Sequence, residues 1–306
     1  MLIVLAALLL LALLSAVSWL MAGYSMGIRR QTLEEARQWQ ESRYDLSWYD
    51  ALNKEDYTVA AEDGYLLHVQ RLANPSPEGR CVIISHGYTD NRFGALKYAK
   101  NYLDLGFDVI VYDLRGHGIN EPTFCTYSIR ESRDLAALIS DTRKRHPEYA
   151  VLGLHGESLG AASTVACLKY RPQVDFAVSD CAFSEIIPVL KTGLRGMHLP
   201  AFLVYTASVA AKLRYGFSYS DMRPVDCLAG DRTPILFLHG AEDRLIAPAH
   251  AEALHRAAAD HSRLSLIPGA DHAASALTAP ALYRELVTGF VGDILEKSSK
   301  IPHDPA

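Results

Sequence analysis

From residue 80 onward, short apolar runs alternate with longer amphipathic segments, and this alternation limits the possible folds more than any other feature. The apolar runs that are typical of buried strands span residues 81–85, 109–113, 151–155, 176–180, 235–239 and 264–267. The helical patterns between and after them span residues 93–105, 128–145, 159–170, 249–259 and 281–295. Apolar strands interleaved with helices predict an α/β fold whose mostly parallel central sheet carries helices on both faces.

Two segments depart from this alternation. Residues 57–61 and 65–71 flank Asp63-Gly64, which predicts an antiparallel hairpin ahead of the parallel strands. Between Phe183 and Asp231 the alternation lapses, and prolines and glycines interrupt a largely apolar stretch. We expect a main domain over residues 54–298, a small helical cap inserted at about residues 184–231, and a disordered tail over residues 299–306.

The first 28 residues contain no Asp, Glu, Lys, Arg or His. As a helix, such a stretch is long enough to cross about 30 Å of hydrocarbon, so residues 1–28 predict a transmembrane anchor. A cleaved signal peptide is the alternative interpretation. The apolar stretch is longer than the usual hydrophobic region of a signal peptide, and no clean small-residue cleavage site follows it.

Basic residues follow the apolar stretch and indicate its orientation. Arg29, Arg30 and Arg37 come directly after it, and the positive-inside rule therefore favours a cytoplasmic main domain, with the opposite side as the alternative. Residues 29–53 are polar, with charges at helical spacing, and predict a helical stalk that lifts the domain off the bilayer.

Composition excludes several classes of function. The net charge of −5 leaves no basic excess, so we expect no nucleic-acid partner. The five cysteines are odd in number and form no C-x-x-C pair, which argues against a disulfide framework or a zinc site. No His/Asp/Glu group has metal-ligand spacing, and the sequence predicts neither a metal nor a cofactor.

The pentapeptide Gly156-Glu157-Ser158-Leu159-Gly160 lies between an apolar run and a helical run of small residues. This is the strand-turn-helix setting of a nucleophile elbow, in which a strained turn pushes a serine hydroxyl out above a sheet. Glycines at both ends would remove clashes with neighbouring backbone. Ser158 is therefore the candidate nucleophile.

A serine hydroxyl needs a base beside it and a carboxylate that orients the base. Asp243 ends the stretch His239-Gly240-Ala241-Glu242-Asp243, and His272 ends Gly269-Ala270-Asp271-His272; both stretches follow predicted strands. Their side chains are therefore expected at the same sheet edge as Ser158. Asp180, at the end of a neighbouring predicted strand, is the alternative acid.

An acyl-transfer intermediate also needs two N–H donors for its oxyanion. The backbone amide of Leu159 follows the nucleophile, and the amide of Tyr88 lies in the loop after the run at residues 81–85. We predict these two amides as the oxyanion hole. The Tyr88 hydroxyl is a less favoured alternative donor, since the ring could simply form a wall of the pocket.

Over residues 56–297 the chain resembles the serine α/β-hydrolase superfamily. Besides the stretches above, the motifs that carry the resemblance are His86-Gly87-Tyr88-Thr89-Asp90, Asp113-Leu114-Arg115-Gly116-His117-Gly118 and Pro248. Within the superfamily it looks most like the bacterial membrane-anchored single-domain hydrolases related to the prolyl oligopeptidase catalytic domain. The resemblance implies an α/β-hydrolase fold with Ser158 as nucleophile, His272 as base and Asp243 as its orienting acid. Two departures are Ile119-Asn120, where relatives commonly have a serine, and Glu157, where many have histidine.

Other polar residues at strand ends are interpreted as structural. Asp113, Arg115 and His117 belong to a turn that organises loops in the resembling superfamily. The histidines that end predicted buried strands are expected to be hydrogen-bonded supports; they are His86, His155 and His239.

The sequence thus predicts a serine hydrolase that cleaves an ester, thioester or amide through an acyl-serine intermediate. A carboxylic ester of a lipidic or small acyl substrate is favoured, because the cap is apolar and the N-terminal segment suits a membrane. The alternatives are an acyltransferase or a peptidase with the same triad, or a non-catalytic membrane-tethered binding module. The expected partners are a small acyl substrate and the membrane, and the oligomeric state is left open.

Overall fold

The computed structural model describes residues 1–299 and contains one eight-stranded sheet in the order β1-β2-β4-β3-β5-β6-β7-β8. The strands are β1 Lys54–Ala60, β2 Leu66–Leu72, β3 Arg80–Ser85, β4 Phe107–Tyr112, β5 Val151–Glu157, β6 Phe176–Asp180, β7 Ile235–Gly240 and β8 Ser262–Ile267. β1 pairs antiparallel with β2, β2 pairs antiparallel with β4, and the other neighbours are parallel. The expected mostly parallel sheet with an antiparallel opening hairpin is confirmed.

Helices cover both faces of the sheet. They are α1 Leu2–Met26, α2 Leu33–Glu41, α3 Ser47–Ala51, α4 Leu96–Leu103, α5 Ile129–Arg145, α6 Leu159–Cys167, α7 Ile186–Gly196, α8 Leu203–Tyr215, α9 Ala249–Ala257, α10 Ser275–Thr278 and α11 Pro280–Ser299. Alternate side chains of a strand point to opposite faces, so Cys81 and Ile83 of β3 join the core under α5 and α6, while Val82 and Ile84 join the core under α4 and α11. This is the α/β-hydrolase fold; the tail predicted at residues 299–306 lies outside the described residues except for the backbone of Ser299.

The segment between β6 and β7 folds over the carboxyl edge of the sheet as a helical cap. It contains α7 and α8, followed by two short 3₁₀ turns, Tyr219–Asp221 and Pro224–Leu228. Ile186 and Leu194 of α7 and Ala207 of α8 are buried in the same core cluster as the sheet residues beneath them. The cap is therefore packed on the domain.

The stalk predicted for residues 29–53 is wrong in one respect. Two helices form there, α2 and α3, but they lie against the domain instead of standing apart from it. Ala36 and Tyr49 are buried in the core cluster under α4, and the Tyr49 hydroxyl donates to Gln70 Oε1 at 2.7 Å. The many charged residues of α2 suggested a helix surrounded by solvent. Its few apolar residues do not show from the sequence that they pack against the domain.

The apolar N-terminal segment forms α1, which is 25 residues long and contains an 18-residue stretch with a mean hydropathy of 2.7. A helix of this length and composition could cross a membrane as an anchor or serve as a signal sequence. Most of its side chains up to Val17 are exposed, whereas Ser18, Ala22 and Met26 are buried against the domain. Ser18 Oγ donates to Thr206 Oγ1 at 2.7 Å on α8. After the helix, the Cys125 amide donates to the Met26 carbonyl at 2.8 Å, so the end of α1 is built into the fold.

Candidate active site

Ser158 stands on a strained turn between β5 and α6. Its φ of 51° lies in the left-handed region and its ψ is −112°, a conformation that L-residues rarely adopt. A Cβ at Gly156 would lie 2.4 Å from the Gly160 carbonyl oxygen, and one at Gly160 would lie 2.3 Å from the Ser85 carbonyl oxygen. Both glycines are therefore required for the turn, as the spacing of the pentapeptide indicated.

Three predicted catalytic side chains meet in one hydrogen-bonded chain. Ser158 Oγ lies 2.9 Å from His272 Nε2, and His272 Nδ1 lies 2.8 Å from Asp243 Oδ2. Asp243 follows β7 and His272 follows β8, so neighbouring parallel strands deliver both to the edge where Ser158 ends β5. The geometry allows Ser158 to donate its proton to His272 while Asp243 fixes the imidazole tautomer.

Asp243 is held as a carboxylate. Burial opposes its charge, but hydrogen bonds from His239, His272 and the backbone outweigh this and hold its pKa well below its usual range. The amides of Leu245 and Ile246 donate to its Oδ1 at 2.9 and 2.8 Å. His239 also donates to this network from the end of β7, which agrees with its interpretation as a supporting residue.

The pKa of His272 is raised from its ordinary value of 6.5: burial opposes the imidazolium, but the hydrogen bond and charge of Asp243 outweigh it. Because only neutral His272 can accept the Ser158 proton, kcat/KM should fall about tenfold per pH unit on the acid side. We expect the midpoint of this limb above pH 6.5 with 4-nitrophenyl butyrate as substrate. Enzyme returned from each pH to the optimum must regain its activity, and a midpoint below pH 6.5 would contradict the assignment of His272.

The alternative acid, Asp180, makes different contacts. Its carboxylate accepts from Ser275 Oγ and from the Tyr98 hydroxyl, each at 3.3 Å. Burial, with the nearby charge of Glu157, raises the pKa of Asp180 to about 6. The hydrogen bond to His272 is made by Asp243, and Asp180 instead ties the strand end to α4 and α10.

The predicted oxyanion donors lie beside the nucleophile. Leu159 is the first residue of α6, where backbone amides have no partner within the helix. A Cβ at Gly87 would lie 3.7 Å from Ser158 Cβ, so the loop that carries Tyr88 passes close to the serine. Burial raises the pKa of Tyr88 to about 12, and its hydroxyl donates to the Gly27 carbonyl, which argues against the hydroxyl as the oxyanion donor. The backbone amide of Tyr88 stays the predicted donor.

The turn after β4 is a structural network. Asp113 accepts three bonds from Arg92, at 2.8, 2.9 and 3.2 Å, and Arg115 binds Asp134 and Asp63. His86 Nε2 accepts the Leu114 amide at 2.9 Å. These contacts support the structural interpretation of the turn, and the same holds for His155, which lies between the hydroxyls of Tyr102 and Tyr283.

Two features near the site were not expected from the sequence. Lys97 of α4 forms a buried ion pair with Glu157, directly before the nucleophile, although a lysine in an amphipathic helix normally indicates a solvated face. Cys181 Sγ lies within 4.8 Å of ligand atoms of Asp243 and His272. Burial raises the pKa of the Cys181 thiol far above its usual range, so the group keeps its proton.

A cavity of about 520 Å³ opens above Ser158. Its lining is mostly aliphatic and aromatic, and comes from the Tyr88 and Ser158 loops, from α7 and α8 of the cap, and from the end of α1. Among the described residues that line it, Arg29 alone is charged. Such a volume and lining suit an apolar group attached to a carbonyl held at Ser158.

Comparison with known proteins shows the family and the fold to which this chain is similar. A family model described as serine aminopeptidase, S33, matches residues 76–232, just over half of the chain. The protein YqkD of Bacillus subtilis (strain 168) is 28% identical over 250 residues, which are 80% of this chain and 82% of that protein. The Pyrococcus furiosus esterase Pf2001 superposes with a TM-score of 0.66 at 21% identity, over 82% of this chain and 95% of the esterase. The acylaminoacyl peptidase of Pyrococcus horikoshii gives a TM-score of 0.62 at 13% identity, over 85% of this chain and 44% of the peptidase.

The fold and the family match define the class of protein. The chain belongs to the serine α/β-hydrolase superfamily and, within it, to the serine aminopeptidase S33 family. The superfamily predicted from the motifs is confirmed. The family match and the esterases among the structural neighbours support a hydrolase function. At identities of 21% and 13% the two solved structures share a fold with this chain and carry no substrate over to it.

Proposed function

We propose that the protein is a serine carboxylesterase that acts through an acyl-Ser158 intermediate. The observation that carries the proposal is the continuous chain of hydrogen bonds from Ser158 through His272 to Asp243, at the floor of an apolar cavity. Ser158 Oγ attacks the ester carbonyl carbon while His272 takes its proton. His272 then returns that proton to the departing alkoxide, and a water activated by His272 releases the acid.

The cavity favours an ester of an apolar acid over a peptide. An aminopeptidase has to bind a free α-ammonium group, for which a carboxylate is the usual partner. Arg29 is the charged group among the described lining residues, and its positive charge would repel an ammonium ion. The remaining lining is mostly apolar, so an acyl chain can be buried there without removing polar groups of the protein from water. The carboxylesterase assignment is therefore preferred over a peptidase with the same triad.

We further propose that α1 is a retained membrane anchor. Its final turns are tied to the domain at Ser18, Met26 and Gly27, where Gly27 also pairs with Phe124 in an isolated β-bridge. Removal of α1 as a signal peptide would expose the core residues that Ala22 and Met26 now cover. Arg29 and Arg30 then follow the end of the span, and by the positive-inside rule they favour a cytoplasmic catalytic domain.

Labelling with a fluorophosphonate tests the proposed nucleophile. Wild-type protein should form a covalent adduct, because an activated serine attacks phosphorus, and Ser158→Ala should form none. Ser163→Ala, one turn further along α6, removes the same atom from a serine that donates to the Leu159 carbonyl, and should label as wild type does. Labelling of Ser158→Ala at the wild-type rate, or no labelling of folded wild type, would refute the esterase proposal.

A further inference from the structure

The end of α1 forms part of the catalytic cavity. Leu20, Met21, Tyr24 and Ser25 line it together with Ser158 and residues of the cap. Their positions are fixed by hydrogen bonds across the cavity wall: Ser25 Oγ bonds to the Tyr219 hydroxyl, and the Tyr127 hydroxyl donates to the Ser25 carbonyl. The apolar N-terminal helix is therefore both the segment suited to a membrane and a wall of the site.

The rim of this cavity is largely apolar, and part of it lies on α1. Several lining residues are strongly exposed and therefore mark where the cavity meets its surroundings; they are Leu20 at 71%, Tyr24 at 60%, Met197 at 48%, Leu245 at 46% and Leu199 at 40%. A mouth that opened into water would expose this apolar surface at a cost of roughly 25 cal/mol per Å². Leu20 lines the mouth of the cavity and is also exposed on the outer surface of α1.

Helix α8 extends the apolar surface of α1. Its buried side, with Val204 and Ala207, faces the cavity. Its other side exposes Tyr205, Val209 and Leu213 at helical spacing, and the N-cap residue Phe202 extends this apolar row. A helix that is apolar on both sides is typical of a protein core or a membrane. α8 packs along α1 through Ser18 and Thr206, so its exposed row continues the surface of the segment that is long enough to span a bilayer.

Aromatic and basic side chains indicate how deep the mouth lies. Arg214 stacks on the Trp19 ring at 5.4 Å, and Arg29 stacks on the Tyr24 ring at 5.1 Å. Tryptophan, tyrosine and arginine mark the interface at the end of a membrane helix. Leu20 lies between Trp19 and Tyr24 in the chain, so the mouth of the cavity lies at this interface.

We propose that the substrate is an ester of a membrane lipid, whose acyl chain enters the catalytic cavity directly from the bilayer between the end of α1 and the cap. This rests on the proposed esterase function and names its substrate class. The carbonyl meets Ser158, the leaving alcohol takes the proton from His272, and water completes the reaction to a free fatty acid and the alcohol of the head group. The head group stays at the interface beside Arg29.

The dependence of activity on acyl chain length tests whether the end of α1 forms part of the acyl-chain site. In detergent-solubilised full-length protein, wild type should prefer 4-nitrophenyl dodecanoate over the acetate in kcat/KM. Met21→Trp fills the cavity, and Leu20→Trp, at a more exposed position, narrows its rim. Each should lower the dodecanoate-to-acetate ratio at least about tenfold, the scale on which pockets discriminate added methylenes. Leu9→Trp, at an exposed position of α1 remote from the cavity lining, should keep the wild-type ratio.

The depth of the cap is tested in vesicles of phosphatidylcholine. A nitroxide on Val209→Cys should be relaxed more by membrane-soluble oxygen than by a water-soluble nickel chelate, and one on Lys144→Cys, exposed on α5, should show the reverse. Labelled wild type supplies the background, because four of its five cysteines are buried. A water-accessible Val209→Cys label, or a wild type with no preference for the longer ester, would overturn the proposal. Fluorophosphonate labelling of wild type reports separately on the esterase function.

Discussion

Replacing Asp243 with asparagine should lower kcat for a short ester by about 10⁴-fold, the loss seen when the orienting carboxylate of a serine triad becomes an amide. The asparagine amide would favour the wrong imidazole tautomer, so His272 Nε2 could no longer accept the Ser158 proton. The loss should appear in kcat, with KM nearly unchanged. Initial rates with 4-nitrophenyl butyrate over a range of concentrations measure both.

Asp180→Asn is the matched control, because it makes the same chemical change at the alternative acid. Asp180 bonds to Ser275 and Tyr98 rather than to His272, so its loss should reduce kcat far less than the loss of Asp243. Circular dichroism and the thermal midpoint should show that both variants are folded. A 10⁴-fold loss in Asp180→Asn, with a small one in Asp243→Asn, would reverse the assignment.

Local patterns were sufficient to predict the sheet and the order of the site residues. Each predicted strand exists, and the elbow at Ser158 was recognisable because glycines are needed at two nearby positions where backbones approach. Boundaries were less exact: the predicted helix at residues 93–105 begins as a 3₁₀ turn, Arg92–Ala95, and becomes α-helical at Leu96. Asn91 caps that turn by accepting the Phe93 amide at 3.1 Å.

Features that depend on distant contacts escaped prediction. The end of α1 was interpreted as anchor alone, because a uniformly apolar helix does not show which of its faces meets the cap. Residues 29–53 were interpreted as a stalk, although Tyr49 bonds to Gln70 on β2. Lys97 gave no signal of burial, since its partner Glu157 lies far along the chain and at the end of a different element.

The buried ion pair of Lys97 and Glu157 should make a large contribution to the stability of the fold. Lys97 and Glu157 side chains are only 4% and 6% exposed, and Lys97 supplies the charge that balances the carboxylate next to Ser158. Lys97→Met should lower the free energy of unfolding by about 3–5 kcal/mol, because it leaves a buried carboxylate without its cation. Chemical denaturation of the detergent-solubilised protein, followed by circular dichroism, measures the shift in midpoint.

Two further variants separate the lost ion pair from lost packing. Lys100→Met removes an exposed lysine of the same helix, paired with Asp104 at 2.8 Å, and should cost less than about 1 kcal/mol. Lys97→Met combined with Glu157→Gln removes both charges while the amide oxygen can still accept from Tyr98, and should recover much of the lost stability. If the double variant were as unstable as the sum of its single variants, the destabilisation would come from packing around the lysine stem. Recovery would instead show that Lys97 stabilises the fold through its charge, which balances the carboxylate next to Ser158.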